Sequence, residues 1–437
     1  MILTIVGFIM LGLIMYLLFK EKSIPVIAFA VVPPIAAFLA GFSIEQVNEF
    51  IISGISTVSN MGILFIFSIT FFGIMSDTGM FDFFVDRLVK LAGNNILLVG
   101  ITTAIVACFA HLAGATITTV LITVPALLPV YRRLNLNPHL LLLITACAMG
   151  IMNLLPWGGP AARVAAVIDM PVNDLWIHTL PIQFVGIILT IILAAIMTMR
   201  EIRRSGQATQ NSDMIGESED RELTEEEKEK EDLKRPNLVL FNLILTFGVI
   251  AVLIWDVLPN YFVFMIGVSL ALIVNYPNVK TQRQRIQAHA ASALDVSSVM
   301  LAAGVMVGIL SESGMLDAMA VPLLQIIPSV IAKYLHYVMG VVALPLGLTL
   351  NTDSFFYGLM PLVIEVGAGH GVEPLSIGVT MLVGKNLSLL ISPFVPATFL
   401  AIGLADVELS DHLRYCFVPL WIVSLILLVF AAVFGLI

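Results

Sequence analysis

Gly73-Ile74-Met75-Ser76-Asp77-Thr78-Gly79-Met80-Phe81-Asp82 recurs as Gly308-Ile309-Leu310-Ser311-Glu312-Ser313-Gly314-Met315-Leu316-Asp317, at an offset of 235 residues. The correspondence runs outward from this stretch with a slowly drifting offset. At 236, Thr116 meets Thr352, Pro125 meets Pro361, Pro138 meets Pro374 and Pro160 meets Pro396; at 237, Asp169 meets Asp406 and Asp174 meets Asp411. Internal symmetry of this kind marks a chain built from two related halves.

Both halves are intensely apolar. The 437 residues are 59% hydrophobic and 12% charged, with a mean hydropathy of +1.02, where a soluble domain is about 45–50% apolar and about 25% charged. That scarcity of charge excludes a soluble enzyme or nucleic-acid binder. Long continuous apolar runs exclude an outer-membrane barrel, whose strands alternate in segments of about 10 residues. A spanning helix needs about 20 apolar residues, which predicts an all-α membrane protein with spans at 2–19, 24–42, 54–75, 138–168, 178–199, 238–255, 260–275, 292–311, 375–405 and 415–436. Two further stretches, 94–131 and 334–366, are interrupted by Ala113-Gly114-Ala115-Thr116 and by Leu350-Asn351-Thr352-Asp353-Ser354. Residues 201–235 hold 12 acidic and 7 basic residues, including Glu225-Glu226-Glu227, and read as an acidic linker between the halves that carries much of the net charge of −9. Cys108, Cys147 and Cys416 lie far apart in or beside apolar segments and read as core residues rather than as a disulfide or metal framework.

Whether the interrupted stretches cross the membrane decides the topology. If each is a re-entrant hairpin, each half crosses five times and the halves are inverted. This arrangement puts 18 of the 21 Lys and Arg on one side, leaves Lys333 on the other, and leaves Arg163 and Lys385 inside the membrane. Full crossings would instead split Lys20 and Lys22 from Arg132 and Arg133. The positive-inside rule therefore selects the hairpins. The expected architecture is two inverted repeats of five transmembrane helices plus one hairpin, or 10 helices and 2 hairpins. It is multi-pass in the cell membrane, with both termini outside and the linker cytoplasmic. Such inverted repeats are a secondary-transporter signature.

Each half also breaks a span, at Pro156-Trp157-Gly158-Gly159-Pro160 and at Ser392-Pro393-Phe394-Val395-Pro396-Ala397-Thr398. Proline removes a donor and clashes with the preceding turn. Unwound backbone persists at membrane depth only where it is buried or lines a polar cavity. The half-helix after each break points its positive end at that cavity, which suits an anion. Amides around Gly158 and Gly159 are candidates for this contact. An intramembrane cation costs about 2.5–3.5 kcal/mol on insertion scales, so Arg163 and Lys385 are candidate carboxylate ligands; the alternative for either is a buried ion pair, with Asp353 as partner. Hydroxyls and amides at the same places (Thr116, Thr118, Asn153, Asn351, Thr352, Ser354, Asn386, Ser392 and Thr398) orient carboxylate oxygens without adding charge. Asp353 and His111 are candidates for proton coupling, and Asp353 also for contact with a divalent ion. The spans hold no nucleophile–base pair, so no catalytic residue is expected. Met80–Leu91 spaces Phe81, Phe84, Leu88 and Leu91 as one face of a helix, with charges between them, and reads as an interfacial helix.

Trp157-Gly158-Gly159-Pro160-Ala161-Ala162-Arg163, Asp353-Ser354-Phe355-Phe356-Tyr357-Gly358-Leu359-Met360-Pro361, Ser392–Thr398 and Gly403-Leu404-Ala405-Asp406 with Asp411-His412 together resemble the citrate–divalent-metal/proton symporter family (CitMHS) of the ion transporter superfamily. The resemblance implies a homodimer working as an elevator. A static scaffold would comprise 1–92 and 236–327, each part ending in an arm helix. The moving transport domain would comprise 93–200 (hairpin 94–131, broken helix 138–168) and 328–437 (hairpin 334–366, broken helix 375–405), with 201–235 as linker. It also implies import of citrate complexed with Mg²⁺ or another divalent metal, together with protons, without a permanently bound cofactor or nucleic-acid partner. The alternative is a sodium-coupled di- or tricarboxylate transporter of the same superfamily; an anion channel is the remaining class. Sodium-coupled relatives carry Ser-Asn-Thr at both hairpin tips, where this chain has Gly114-Ala115-Thr116 and Leu350-Asn351-Thr352.

Overall fold

The structure, a computed structural model, describes residues 1–20, 22–205, 231–326 and 329–437, which form helices and connecting turns with no strand among them. The first half contains α1 (Ile2–Phe19), α2 (Pro25–Leu39), α3 (Ile44–Asp77), α4 (Met80–Ala92), α5 (Ile96–Ala110), α6 (Thr116–Arg133), α7 (Pro138–Met152), α8 (Gly159–Val167) and α9 (Val172–Ser205). The second contains α10 (Val239–Trp255), α11 (Asn260–Asn275), α12 (Val279–Glu312), α13 (Met315–Ile326), α14 (Ser329–Lys333), α15 (Leu335–Thr349), α16 (Met360–Ala368), α17 (Pro374–Asn386), α18 (Pro396–Ala405) and α19 (Leu409–Val433). Among the described residues, six helices are long and apolar enough to cross a membrane, and shorter apolar helices fill the rest.

The repeated stretch that opened the sequence is a turn used twice. Asp77 and Glu312 end two 34-residue helices, and the glycines after them take left-handed backbone, Gly79 at φ 74° and Gly314 at φ 69°, before α4 and α13 begin. A residue with a Cβ is strained there, which is why glycine stands at both places. α3 and α12 are longer than the expected spans 54–75 and 292–311 because their starts are set by caps outside the apolar windows. Ser43 and Gln46 form a capping box, the Ser43 amide donating to Gln46 Oε1 at 2.9 Å, and Asn278 Oδ1 accepts from the Lys280 amide at 2.8 Å.

These two long helices pack tightly against each other. A Cβ on Gly54 would strike the Gly304 carbonyl oxygen and the Gly308 backbone, and Ser297 Oγ donates to the Gly62 carbonyl at 3.0 Å. Small residues permit this backbone approach in the absence of a hydrophobic drive between apolar helices. At the other end of the contact Gly73 lies against the His289 ring, and His289 Nε2 and Arg285 Nη1 reach Asp77 Oδ2 at 2.8 and 3.3 Å. The duplicate acid, Glu312, accepts from Ser53 Oγ at 2.9 Å instead.

The expected linker is shorter than 201–235. Helix α9 continues to Ser205, while Arg235 returns to the α3–α4 turn, its amide donating to the Thr78 carbonyl at 2.9 Å, and Lys234 pairs with Asp82 at 3.1 Å. Glu225-Glu226-Glu227 lies outside the described residues. The interfacial-helix expectation falls on α4, where Phe84 stacks on Phe109 of α5 at 4.0 Å between ring centroids and Leu91 stays exposed.

Candidate functional site

Both interrupted stretches form paired helices meeting at a tip, and both broken spans are unwound in the middle. The tip of α5/α6 is a short 3-10 turn, His111–Ala113, closed by Gly114 at φ 66°, whose Cα abuts Trp157. The α15/α16 hairpin turns at Leu350-Asn351 and continues through a widened helical turn, Ser354–Leu359, pinned by Asn351 Oδ1 accepting from the Ser354 amide at 2.7 Å. Widened turns of this kind recur at functional sites. In the broken spans, Pro160 and Pro396 fall inside the first turns of α8 and α18 rather than in the unwound segments. A missing amide costs nothing in a helix's first turn, so each proline begins the half-helix. The second break also starts earlier than Ser392, at the end of α17.

The four irregular segments are tied together. Trp157 Nε1 donates to the Leu112 carbonyl at 2.7 Å, fastening the first break to the first hairpin tip. Gly150, in the last turn of α7, sits against Leu387 and the Asn386 carbonyl, where a Cβ would come within 2.9 Å of Leu387 Cα, so the helix leading into the first break meets the start of the second. α8 packs on the turn Ser354–Leu359, and α18 packs on α6. Each half's hairpin thus meets the other half's half-helix.

Charge is concentrated at one of these junctions. Arg163 Nε donates to Asp353 Oδ1 at 2.7 Å across 190 positions of sequence, with side chains 14% and 15% exposed. Lys385 is fully buried; its Nζ donates to the Gly347 and Leu350 carbonyls at 2.8 and 3.1 Å and lies 5.8 Å from the Phe355 ring centroid. The last carbonyls of α15 lack intrahelical partners, so an ammonium there completes the helix end. Arg163 and Lys385 are therefore not two uncompensated cations: Asp353 neutralises the first and backbone dipoles hold the second. Asp353's partner is Arg163, not Lys385.

The remaining candidates divide. His111 Nδ1 lies 2.6 Å from Thr119 Oγ1, with Asn153 beside the ring. Among the described residues, His111 Nε2, Asn153 Nδ2 and both polar atoms of the Asn386 amide are buried without a hydrogen-bond partner. Such atoms are rare in folded proteins; Asn153 and Asn386 mark the ends of α7 and α17 and His111 the first hairpin tip, and the two amide nitrogens could donate to ligand oxygens there. Thr116 and Thr118 are half-buried at the start of α6, Asn351 and Thr352 half-buried at the second tip, and Ser354 is buried. Ser392 and Thr398 are turned into their own break: Ser392 Oγ accepts from the Phe394 amide at 3.3 Å and Thr398 Oγ1 donates to the Leu389 carbonyl at 3.2 Å. Both bonds lie within the second break. Among the described residues, no three His, Cys, Asp or Glu side chains converge to hold a metal ion.

Two aromatic residues absent from the sequence candidates belong to the same construction. Tyr357, fully buried beside Arg163 and Asp353, donates to Met300 Sδ of α12 at 3.1 Å and meets Phe29 of α2 edge-on at 5.5 Å. Trp157 stacks on Phe72 of α3 at 5.4 Å and meets Phe264 of α11 at 5.3 Å. Both lie within the motifs that carry the family resemblance, which is the one signal in the sequence that singles them out.

The CitMHS citrate transporter family profile matches residues 5–384. The chain is 36% identical over 413 residues to a citrate transporter of Bacillus subtilis (strain 168), covering 94% of each protein. It is 33% identical over 413 residues, again 94% of each, to a protein of that organism named Mg(2+)/citrate complex secondary transporter. Among solved structures, the YdaH transporter of Alcanivorax borkumensis matches with a TM-score of 0.52 at 13% identity, covering 88% of this chain and 87% of that one. At that identity the likeness is one of fold.

Proposed function

The chain belongs to the CitMHS citrate transporter family of multi-pass membrane transporters, and from that premise we propose that it imports citrate as a complex with Mg²⁺ or another divalent metal, coupled to protons. The observation that carries the reading is the Arg163–Asp353 pair. Asp353 holds the guanidinium where a substrate carboxylate would bind. When citrate arrives, one of its carboxylates takes the guanidinium, and Asp353 must be protonated or turn to the metal. Either outcome links citrate to its co-substrate through one side chain.

Charge supports the same reading. With all three groups ionised, Arg163 and Lys385 less Asp353 leave one net positive charge in the membrane interior. A citrate trianion carrying a divalent cation has one net negative charge, so the loaded site is neutral when Asp353 stays ionised and turns to the metal, and carries one positive charge when Asp353 is protonated; metal-free citrate would leave two negative charges in the first state. A metal carried this way keeps citrate oxygens and water as ligands and needs few from the protein. Thr116, Thr118, Asn351, Thr352, Asn153, Asn386 and the amides near Gly158 and Gly159 complete the site, with His111 as a second proton-handling group. Ser392 and Thr398 hold the shape of the second break.

For the mechanism we propose an elevator of 10 spans and 2 re-entrant hairpins, dimeric, with both termini outside and the linker cytoplasmic. Helices α1–α4 and α10–α13 are its scaffold, and the hairpins and remaining helices are the moving part. The linkage of both hairpins and both breaks into one packed body supports this reading, because the site would travel intact. Labelled citrate uptake into proteoliposomes, with proton and sodium gradients imposed separately and Mg²⁺ varied, tests it. Uptake should require an inward proton gradient and a divalent metal. Uptake driven by sodium at constant pH, indifferent to Mg²⁺, would point to the sodium-coupled alternative.

A further inference from the structure

Helices α9 and α19 enclose a groove of about 620 Å³ that the transport site does not use. Its floor and walls are aliphatic, and Ile192, Ile196, Val418, Ile422 and Ile426 are all between 44% and 52% exposed along it. One end carries Arg200, Arg204, Arg414 and Tyr415, with Glu201 beside them. Glu201 is buried and accepts from Arg204 Nη2 at 2.7 Å, which neutralises that arginine. Arg200 and Arg414 are exposed and have no hydrogen-bond or ion-pair partner among the described residues.

The groove's length identifies what fills it. It reaches from Arg200 back to Leu189 on α9, 11 residues, and from Arg414 to Ile426 on α19, 12 residues. At about 1.5 Å per helical residue that is roughly 16–18 Å, close to half of the roughly 30 Å hydrocarbon core of a bilayer. One leaflet's acyl chain matches this length, with its headgroup at the arginines. The opposite end of the same helix pair is closed instead, by His178 Nε2 at 2.9 Å from the Leu436 carbonyl oxygen. We propose that the α9–α19 groove is a binding site for one anionic phospholipid, its phosphate held by Arg200 and Arg414 beneath the Tyr415 ring and its acyl chain lying along the isoleucines. Basic pockets between helices at a membrane surface recognise such headgroups, and tyrosine sits at headgroup depth.

The test is thermal unfolding of the purified full-length protein in detergent, titrated with phosphatidylglycerol, phosphatidylcholine or glycerol 3-phosphate. A ligand that binds the native state raises the melting temperature with concentration. Phosphatidylglycerol should stabilise far more than phosphatidylcholine, and glycerol 3-phosphate not at all. The double variant Arg200→Gln, Arg414→Gln should weaken the phosphatidylglycerol effect by about 30-fold in concentration, from about 1 kcal/mol for each arginine. Ile422→Trp, which fills the groove and keeps the charges, should weaken it as well. Equal stabilisation by both lipids, or an unchanged response in both variants, overturns the proposal. So does lipid-independent cross-linking of Ile196→Cys between two copies, which would make the groove a subunit contact.

Discussion

The two broken spans share one backbone plan and compensate their cations in opposite ways. After the first break, Arg163 is held by a side chain, Asp353, which can be protonated or rotated away. Before the second, Lys385 is held by two main-chain carbonyls, which can be neither. The two cations are not copies of one another: at the offset of 236, Arg163 meets Phe399 and Lys385 meets Met149. Under the proposed function Arg163 would be the group that changes partner during a transport cycle, while Lys385 fixes the hairpin tip against α17.

The largest expected effect follows from breaking the exchangeable pair. Arg163→Ala should cut citrate uptake in proteoliposomes by at least 100-fold, because removing one partner of a buried ion pair costs about 3–5 kcal/mol and strands Asp353. Unimpaired uptake would remove Arg163 from the site. Next comes Asp353→Asn, which keeps the shape and deletes the titrating group. Citrate exchange across the membrane should survive within about tenfold, while accumulation driven by a proton gradient is lost. Retained proton-driven accumulation would move coupling elsewhere, with His111→Gln the next variant to measure.

Lys385→Met should act mainly on stability, since it leaves the Gly347 and Leu350 carbonyls unpaired at about 1–3 kcal/mol for each. Its melting temperature should fall more than that of Asp353→Asn; a normal melting temperature with abolished uptake would instead make Lys385 a direct ligand. The smallest effect is expected from Trp157→Phe, which keeps the stack on Phe72 and loses one hydrogen bond to Leu112, worth about 1 kcal/mol. Uptake should change by no more than a few fold.

Local chemistry made much of this legible. Glycine, proline and runs of short polar residues act within a turn or two, so the tips at 113–116 and 350–354 and both breaks are visible from neighbours in sequence. The limits of that reading are equally physical. The starts of α3 and α12 depend on Ser43 and Asn278, polar caps that no apolar window includes. Asp353 lies 32 positions from Lys385 and 190 from Arg163, and sequence distance favours the wrong partner. Tyr357 and Trp157 look like core aromatics until their neighbours, Met300, Phe29, Phe72 and Phe264, are seen to come from α12, α2, α3 and α11.

The long-helix contact preserves a record of origin. Gly54 and His289 are 235 positions apart, as are Gly73 and Gly308, so Gly54 against Gly308 and His289 against Gly73 are one contact occurring twice. Two copies of a single ancestral segment, meeting as identical subunits, would have made both contacts alike. Tandem fusion put the two under separate inheritance. One contact has the glycine that lets backbones touch, and the other has an imidazole bound to Asp77, a difference that a symmetric pair of identical subunits could not carry.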